Sequence, residues 1–258
     1  MANDAASTVS FVGSGPGDPE LITVKGMRLL EKADVVVYAG SLVKEKVLKY
    51  CREGTEIHNS AGMNLDEIMS VMVKAAKEGK SVVRLHTGDP SLYGALREQA
   101  DILDTEGVPY EVVPGVSSAF ASAAALKKEL TMPGVTQTVI FTRLEGRTPV
   151  PERERLSALA LHNATICVFL SASMIDKVVE ELGNGYPPDT PVAVVYRATW
   201  EDEKKVTGTL EDIASKVKAE GISRHALIIV GRAIGGAGSS GRTSLLYDKD
   251  FKHGYRKR

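Results

Sequence analysis

The residues with the clearest chemical potential are two glycine-bearing turns. Gly13-Ser14-Gly15-Pro16-Gly17-Asp18 stands between an apolar run at residues 9–12 and a helix-period segment at residues 20–32. A turn in that place offers free backbone N–H groups to a nucleotide-like ligand. The dinucleotide fingerprint GxGxxG needs glycine where this chain has Asp18. It also needs an acid at the end of the next strand, where this chain reads Tyr38-Ala39-Gly40-Ser41. No lysine completes a phosphate loop, and the Asp18 carboxylate repels phosphate.

Gly17-Asp18-Pro19 recurs as Gly88-Asp89-Pro90, after a segment at residues 81–86 that reads as a strand. Taken singly, each triplet reads as a cap, because Asp accepts from helix N–H groups and Pro suits the first helical position. Two such loops at the carboxyl ends of neighbouring strands point further, to the edge where open α/β sheets hold their ligands.

The rest of the composition excludes several function classes. Formal net charge is −1 from 32 basic and 33 acidic side chains, with no basic–aromatic interleaving, which argues against a nucleic-acid binder. Only residues 249–258 are locally basic, and they read as a solvated tail. The five histidines (His58, His86, His162, His225, His253) lack metal-ligand spacing, so no metal is expected. Cys51 and Cys167 give no disulfide framework and fit a reducing, cytoplasmic setting, with Cys167 inside an apolar run. Neither a signal peptide nor a membrane span is expected.

Positioning those loops requires alternating strands and helices. Strands are predicted at residues 9–12, 34–38, 81–86 and Tyr110–Val113, with helices at 20–32, 64–78, 93–106 and 116–127. Residues 64–78 carry the strongest helical signal. Leu65, Ile68, Met69, Met72, Ala75 and Ala76 share one face, Asn64 and Glu67 are spaced as a capping box, and Gly79 follows. The two methionines therefore read as core. Strand–helix alternation with apolar strands predicts a mostly parallel sheet.

In the second half, strands are predicted at 138–142, 165–170, 191–198, Lys204–Thr209 and 226–232, with helices at 172–182 and 211–220. The link 199–203 is too short for a helical crossover and implies an antiparallel hairpin, hence a mixed sheet. The predicted class is α/β with two α/β domains, 1–115 and 116–258, and a Gly/Ser-rich flexible stretch from about 235.

Three ordered segments carry a resemblance. VGSGPGDPELITVKG (residues 12–26), VVRLHTGDPSLYG (82–94) and VVPGVSS (112–118) closely resemble the signature segments of the tetrapyrrole (corrin/porphyrin) methyltransferases, and the similarity runs through nearly the whole chain. The segment TQTVIFTRLEGRTPVPE (136–152) resembles the precorrin-4 C-11 branch of cobalamin synthesis, and SLLYDKDFKHGYR (244–256) resembles the tail of corrin-pathway members. The resemblance implies S-adenosylmethionine as methyl donor, a small-molecule tetrapyrrole acceptor, a homodimer, and a ligand cleft between two domains. By position it implies donor contacts at Pro16, Thr87, Gly88, Asp89, Leu92, Ser117, Ser118, Leu170, Ala198 and Ala226. Methylation of another corrin position, or of ribosomal RNA by the same fold, are the alternatives.

The chain departs from the uroporphyrinogen branch. Where that branch carries an Asp after the VVVY strand and a Lys before Ala-Gly, this sequence has Ala39-Gly40 and Asn59-Ser60. That acid–base pair does not carry over, and no catalytic residue is assigned. A polycarboxylate acceptor calls for arginine forks. Arg143 and Arg147, flanking Glu145, are the candidates for holding the macrocycle, with a surface ion-pair network as the competing reading. His86 reads as a packed strand residue beside the second loop. Tyr93 and Tyr196 suit either the ligand site or the core.

Overall fold

The computed structural model describes residues 7–146, 148–235, 251–252 and 254. The chain forms two compact units. The first comprises Met1–Ala121 together with Arg197–Asp202, and the second comprises Ser122–Tyr196 with Glu203–Arg258.

The first unit is built on β1 (Val9–Gly13), α1 (Val24–Lys32), β2 (Val35–Tyr38), β3 (Glu56–Asn59), α2 (Leu65–Lys77), β4 (Val82–His86), α3 (Leu96–Thr105), β5 (Tyr110–Val113) and the start of α4 (Ser118–Leu126), which runs on into the second unit. Its strands lie in the order β3-β2-β4-β1-β5, and every pairing is parallel. β1, β2 and β4 are buried along their whole length, in keeping with their mainly apolar sequences, although Ser10, Arg84 and His86 are buried with them. One face packs Val9, Phe11, Val35, Val37 and Val82 against Met69 and Met72 of α2. The other packs Val12, Val36, Val83 and Leu85 against Leu30 of α1. The Asn64–Glu67 capping box is present, so the methionine stripe is core as expected.

The second unit contains β6 (Val139–Arg143), α5 (Leu156–Ala160), β7 (Thr165–Phe169), α6 (Ile175–Leu182), β8 (Pro191–Tyr196), β9 (Lys204–Thr209), α7 (Ile213–Ala219) and β10 (Ala226–Val230). The order is β6-β7-β10-β8-β9. The β6–β7 pair is parallel and the rest are antiparallel, so the sheet is mixed and the β8–β9 hairpin is real.

Several boundaries move for identifiable reasons. Residues 20–32 do not form one helix. Asp18 caps a short 3-10 turn at Pro19–Leu21, Ile22 and Thr23 are extended, and Thr23 Oγ1 accepts from Gly26 N at 3.1 Å to start α1 afresh. The helix predicted from residue 93 begins at Leu96, because Tyr93 and Ala95 are left-handed at φ 56° and 48°. Residues 172–182 likewise divide into a 3-10 turn, Ala172–Met174, and α6. β8 stops at Tyr196 because Arg197 turns left-handed at φ 45°. β3 was not predicted, since its Glu-Ile-His-Asn sequence at an exposed sheet edge carries no apolar run. The glycine-rich stretch from 236 and most of the segment 244–256 fall outside the described residues.

Candidate functional site

The loops after β1, β4 and β5 meet at the carboxyl edge of the first sheet. Gly88 N donates to Gly15 O at 2.8 Å and Gly15 N returns to Gly88 O at 3.3 Å, so the first two loops form a two-residue antiparallel bridge. Ser14 N adds a bond to His86 O at 2.7 Å. Three glycines make this approach feasible. A Cβ on Gly13 would lie 2.6 Å from both Gly115 Cα and Gly88 O, and one on Gly115 would lie 2.1 Å from Gly88 O.

Asp89 ties the second loop to the third. Its Oδ1 accepts from Ser91 N at 2.8 Å and its Oδ2 from Gly115 N at 2.9 Å. One carboxylate therefore caps its own turn and holds the third loop. Thr87 is half-buried beside it, and Leu92 N closes the turn onto Asp89 O at 3.3 Å. Ser117 is buried, with Oγ accepting from Ala119 N at 3.3 Å, and Ser118 opens α4. Gly88, at φ +59°, is buried without being crowded. A Cβ there would meet nothing nearer than 3.8 Å, the closest atoms being Ser117 Cα, Ser118 N and Val116 O.

The first loop is also gripped by the turn between β8 and β9, which belongs to the first unit. Trp200 Nε1 donates to Pro16 O at 2.8 Å, and Thr199 Oγ1 accepts from Asp18 N at 2.9 Å. Ala198 is buried between Arg197 and Thr199, both left-handed at φ 45° and 70°. Of the predicted donor contacts, Pro16, Thr87, Gly88, Asp89, Leu92, Ser117, Ser118 and Ala198 thus belong to the first unit and its three joined loops. Sequence reasoning missed Thr199 and Trp200, although the chain's single tryptophan, two places from Ala198, was a usable signal.

The remaining candidates share one edge of the second sheet. Arg143 ends β6 opposite Phe169. Leu170 follows β7, 62% exposed and left-handed at φ 55°. Ala226 opens β10 opposite Tyr196, and the Ile228–Val168 pairing brings it to the Leu170 end of β7. Arg143 is occupied by the turn that follows it, donating to Thr148 O at 3.1 Å and Pro149 O at 3.0 Å rather than to Glu145. Glu145 is half-buried, and Arg147 lies outside the described residues. Tyr93 is 46% exposed beside the second loop, while Tyr196 is half-buried.

Two buried polar groups lie under the loops. Arg84, on β4, donates to Gln99 Oε1 and Ser60 Oγ at 3.0 Å and to Val37 O at 3.3 Å, and burial lowers its pKa to about 10. His86 packs 5.9 Å from the Phe11 ring, its Nε2 has no partner among the described residues, and burial drives its pKa to about 3. It is a neutral, packed residue, as the sequence reading preferred. At the places of the missing acid–base pair, Asn59 Oδ1 accepts from Ala61 N at 3.0 Å and Ser60 Oγ donates to Tyr38 O at 3.0 Å, so both side chains are structural. Cys167 is fully buried, and desolvation pushes its thiol up to about 12. Among the described residues there is no metal-binding cluster, and no helix is long and apolar enough to cross a membrane.

The joined loops offer backbone, two carboxylates and no basic side chain, since residues 13–19, 87–94 and 114–118 contain neither Lys nor Arg. That surface suits a ligand carrying positive charge and disfavours a phosphate.

Comparison with known proteins agrees with this chemistry. A cobalt-precorrin-4 C(11)-methyltransferase of Methanocaldococcus jannaschii is 61% identical over 250 residues, covering 96% of each chain. A solved cobalt precorrin-4 methyltransferase superposes with TM-score 0.88 at 49% identity, covering 92% of this chain and 99% of the other. A uroporphyrin-III C-methyl transferase of Thermus thermophilus, solved with S-adenyl homocysteine, gives TM-score 0.73 at 32% identity over 88% of this chain and 99% of the other. Residues 8–214 match the tetrapyrrole (corrin/porphyrin) methylases, and the chain belongs to that family.

Proposed function

We propose that this protein methylates C-11 of precorrin-4, or of its cobalt-containing form, in cobalamin biosynthesis, using S-adenosylmethionine. The observation that carries the reading is the junction of three loops around Gly13, Gly88 and Gly115 at the carboxyl edge of a parallel sheet. The 61% identity to a cobalt-precorrin-4 C(11)-methyltransferase supports the choice of acceptor.

Bound at those loops, S-adenosylmethionine supplies a methyl on a positive sulfonium, which is already electrophilic. The chain's own residues then have two tasks, orientation and charge complementarity. Asp18 and Asp89 place negative charge beside the cation, and Asp89 also locks the second loop against the third. Ser117, Ser118 and the backbone around Gly88 are proposed to hold the donor, with Pro16, Thr87, Leu92 and Ala198 as further contacts within the unit. Leu170 and Ala226 are proposed as further donor contacts, and Arg143, Glu145 and Arg147 as neighbours of the macrocycle. Holding donor and acceptor in line is worth about 7–11 kcal/mol in favourable cases, so no nucleophile–base set is required. The proposal includes a homodimer, a cytoplasmic location and two domains, the expected division at 115/116 moving to the bounds of the compact units, Met1–Ala121 with Arg197–Asp202 and the remainder.

The test is incubation with S-adenosylmethionine and the tetramethylated precursor, either metal-free or cobalt-loaded, followed by mass and NMR assignment of the new methyl. A product methylated at C-11 is expected. Methylation elsewhere on the ring, or none with either precursor, would overturn the assignment.

A further inference from the structure

The turn at residues 197–202 is held at its tip by a dense set of contacts. The Trp200 ring has the Lys44 ammonium 5.3 Å from its centre and the Arg197 guanidinium carbon 5.0 Å from it. Glu201 pairs with both Lys44 and Lys46, and Arg197 pairs with Asp202 at 2.6 Å. Two cation–ring contacts and the ion pairs beside them hold the indole in place.

The fixed indole bears on the first glycine loop and on little else that is chemical. Trp200 Nε1 takes Pro16 O, and Thr199 Oγ1 takes Asp18 N, so the two bonds bracket Gly17. Gly17 itself is pressed against the ring. A Cβ there would lie 2.1 Å from Trp200 Cδ1 and 2.3 Å from Nε1. The backbone is left-handed at Arg197 and Thr199, a strained conformation for residues with a side chain, in the turn that presents Thr199 and Trp200 to the loop. Backbone strain of this kind persists only where the surrounding contacts hold it.

We infer that Trp200 is a positioning residue for the methyl donor: it holds Pro16-Gly17-Asp18 in the donor-binding conformation and thereby sets donor affinity without touching the acceptor. This rests on the reading that the three loops bind S-adenosylmethionine.

Trp200 is the chain's only tryptophan, so its emission reports the clamp directly. Titrating the full-length protein with S-adenosylhomocysteine should give a saturable emission change whose midpoint matches calorimetry. Trp200→Phe, which keeps a ring but loses the Pro16 bond, should raise the donor KM and the S-adenosylhomocysteine Kd about tenfold, with kcat and acceptor KM within about threefold, the loss of one hydrogen bond accounting for that factor. Gly17→Ala should weaken donor binding similarly in the parent, but far less in a Trp200→Ala background, where the obstructing ring is gone. If the parent shows no heat with S-adenosylhomocysteine, the donor-site reading itself falls. If it binds normally while emission is unmoved, or while Trp200→Phe keeps the parental Kd, the clamp alone is refuted.

Discussion

Gly115→Ala isolates the loop junction on which the donor site depends. The new methyl would start 2.1 Å from Gly88 O, 2.8 Å from Gly13 Cα and 2.9 Å from Gly13 C. All three obstacles are backbone, so no side-chain rotation relieves them. Restoring ordinary contact requires the third loop to part from the second by about 1 Å, which stretches the 2.9 Å bond from Gly115 N to Asp89 Oδ2. Overpacking of this kind costs about 1–3 kcal/mol. At about 2–4 °C per kcal/mol for a chain of this size, the Tm falls by about 2–12 °C. The functional loss should be larger, because a displacement of about 1 Å in a positioned reactant can cost roughly 100-fold in rate. Gly107→Ala is the matched control. Gly107 is left-handed at φ +66°, has nothing within 4 Å of a built Cβ, and precedes β5 at the opposite edge of the sheet. It should lose about 1–2 kcal/mol through backbone strain alone. Melting, S-adenosylhomocysteine calorimetry and methyl transfer from labelled donor would be read on both variants. Equal stability loss with donor binding reduced only in Gly115→Ala is expected. Parental donor affinity and turnover in Gly115→Ala would show that the junction does not shape the site.

Removing the Asp89 carboxylate strands two N–H groups, so Asp89→Ala should weaken S-adenosylhomocysteine binding by tenfold or more, with Asp89→Asn, which keeps one acceptor, in between; calorimetry on the pair decides. His86 is held neutral by burial, its pKa falling from the ordinary 6.5 to about 3, so its contribution to stability is complete above pH 6.5 and is lost as pH falls from there toward 3. Denaturant melts across that window should show stability falling by up to roughly 3–5 kcal/mol in the parent and a flatter profile in His86→Phe; identical profiles would mean that His86 does not titrate on unfolding. Leu170→Gly should behave oppositely in its two readouts, with Tm unchanged or raised by about 1–4 °C as left-handed strain is removed and donor affinity reduced about tenfold as an apolar contact is lost. A lowered Tm with parental affinity would assign Leu170 to packing instead.

The sequence was most legible where burial alone decides conformation. Val35–Tyr38 is buried at every position and its unbroken apolar run reads as a central strand, and Val82–His86 is buried throughout although Arg84 and His86 interrupt its apolar residues. The Asn64–Glu67 box is equally local, since both partners lie within one helical turn. What stayed hidden was set by contacts distant in the chain. Trp200 and Pro16 are 184 residues apart, and neither flanking sequence announces the bond. β3 lies at a solvent-facing edge, where strand pairing leaves no hydrophobic mark. Arg143 illustrates a different gap. Its residue type suggests carboxylate binding, but nearby carbonyls of its own turn take its donors, and only coordinates reveal that competition.

The distribution of strained backbone ties these threads together. Eight described residues other than glycine have positive φ. Tyr93 and Ala95 follow the second loop, Arg197 and Thr199 form the tip that grips the first, and Leu170 and His225 lie beside one edge of the second sheet. Only Lys127 and Asn163 are elsewhere. Left-handed geometry costs an L-residue about 1–2 kcal/mol, so six such positions carry a penalty comparable to the whole net stability of an ordinary domain. Selection for stability alone would replace at least the exposed ones with glycine. Leu170 is the sharpest case, because it combines an unfavourable backbone with an apolar side chain facing solvent. Neither feature helps the folded chain by itself, and both are accounted for if the side chain is covered when a ligand is present. Within the first unit, the strain at Tyr93, Ala95, Arg197 and Thr199 falls on the loops of the glycine junction and the turn that grips them, while Leu170 marks a strand end of the second sheet on its own account.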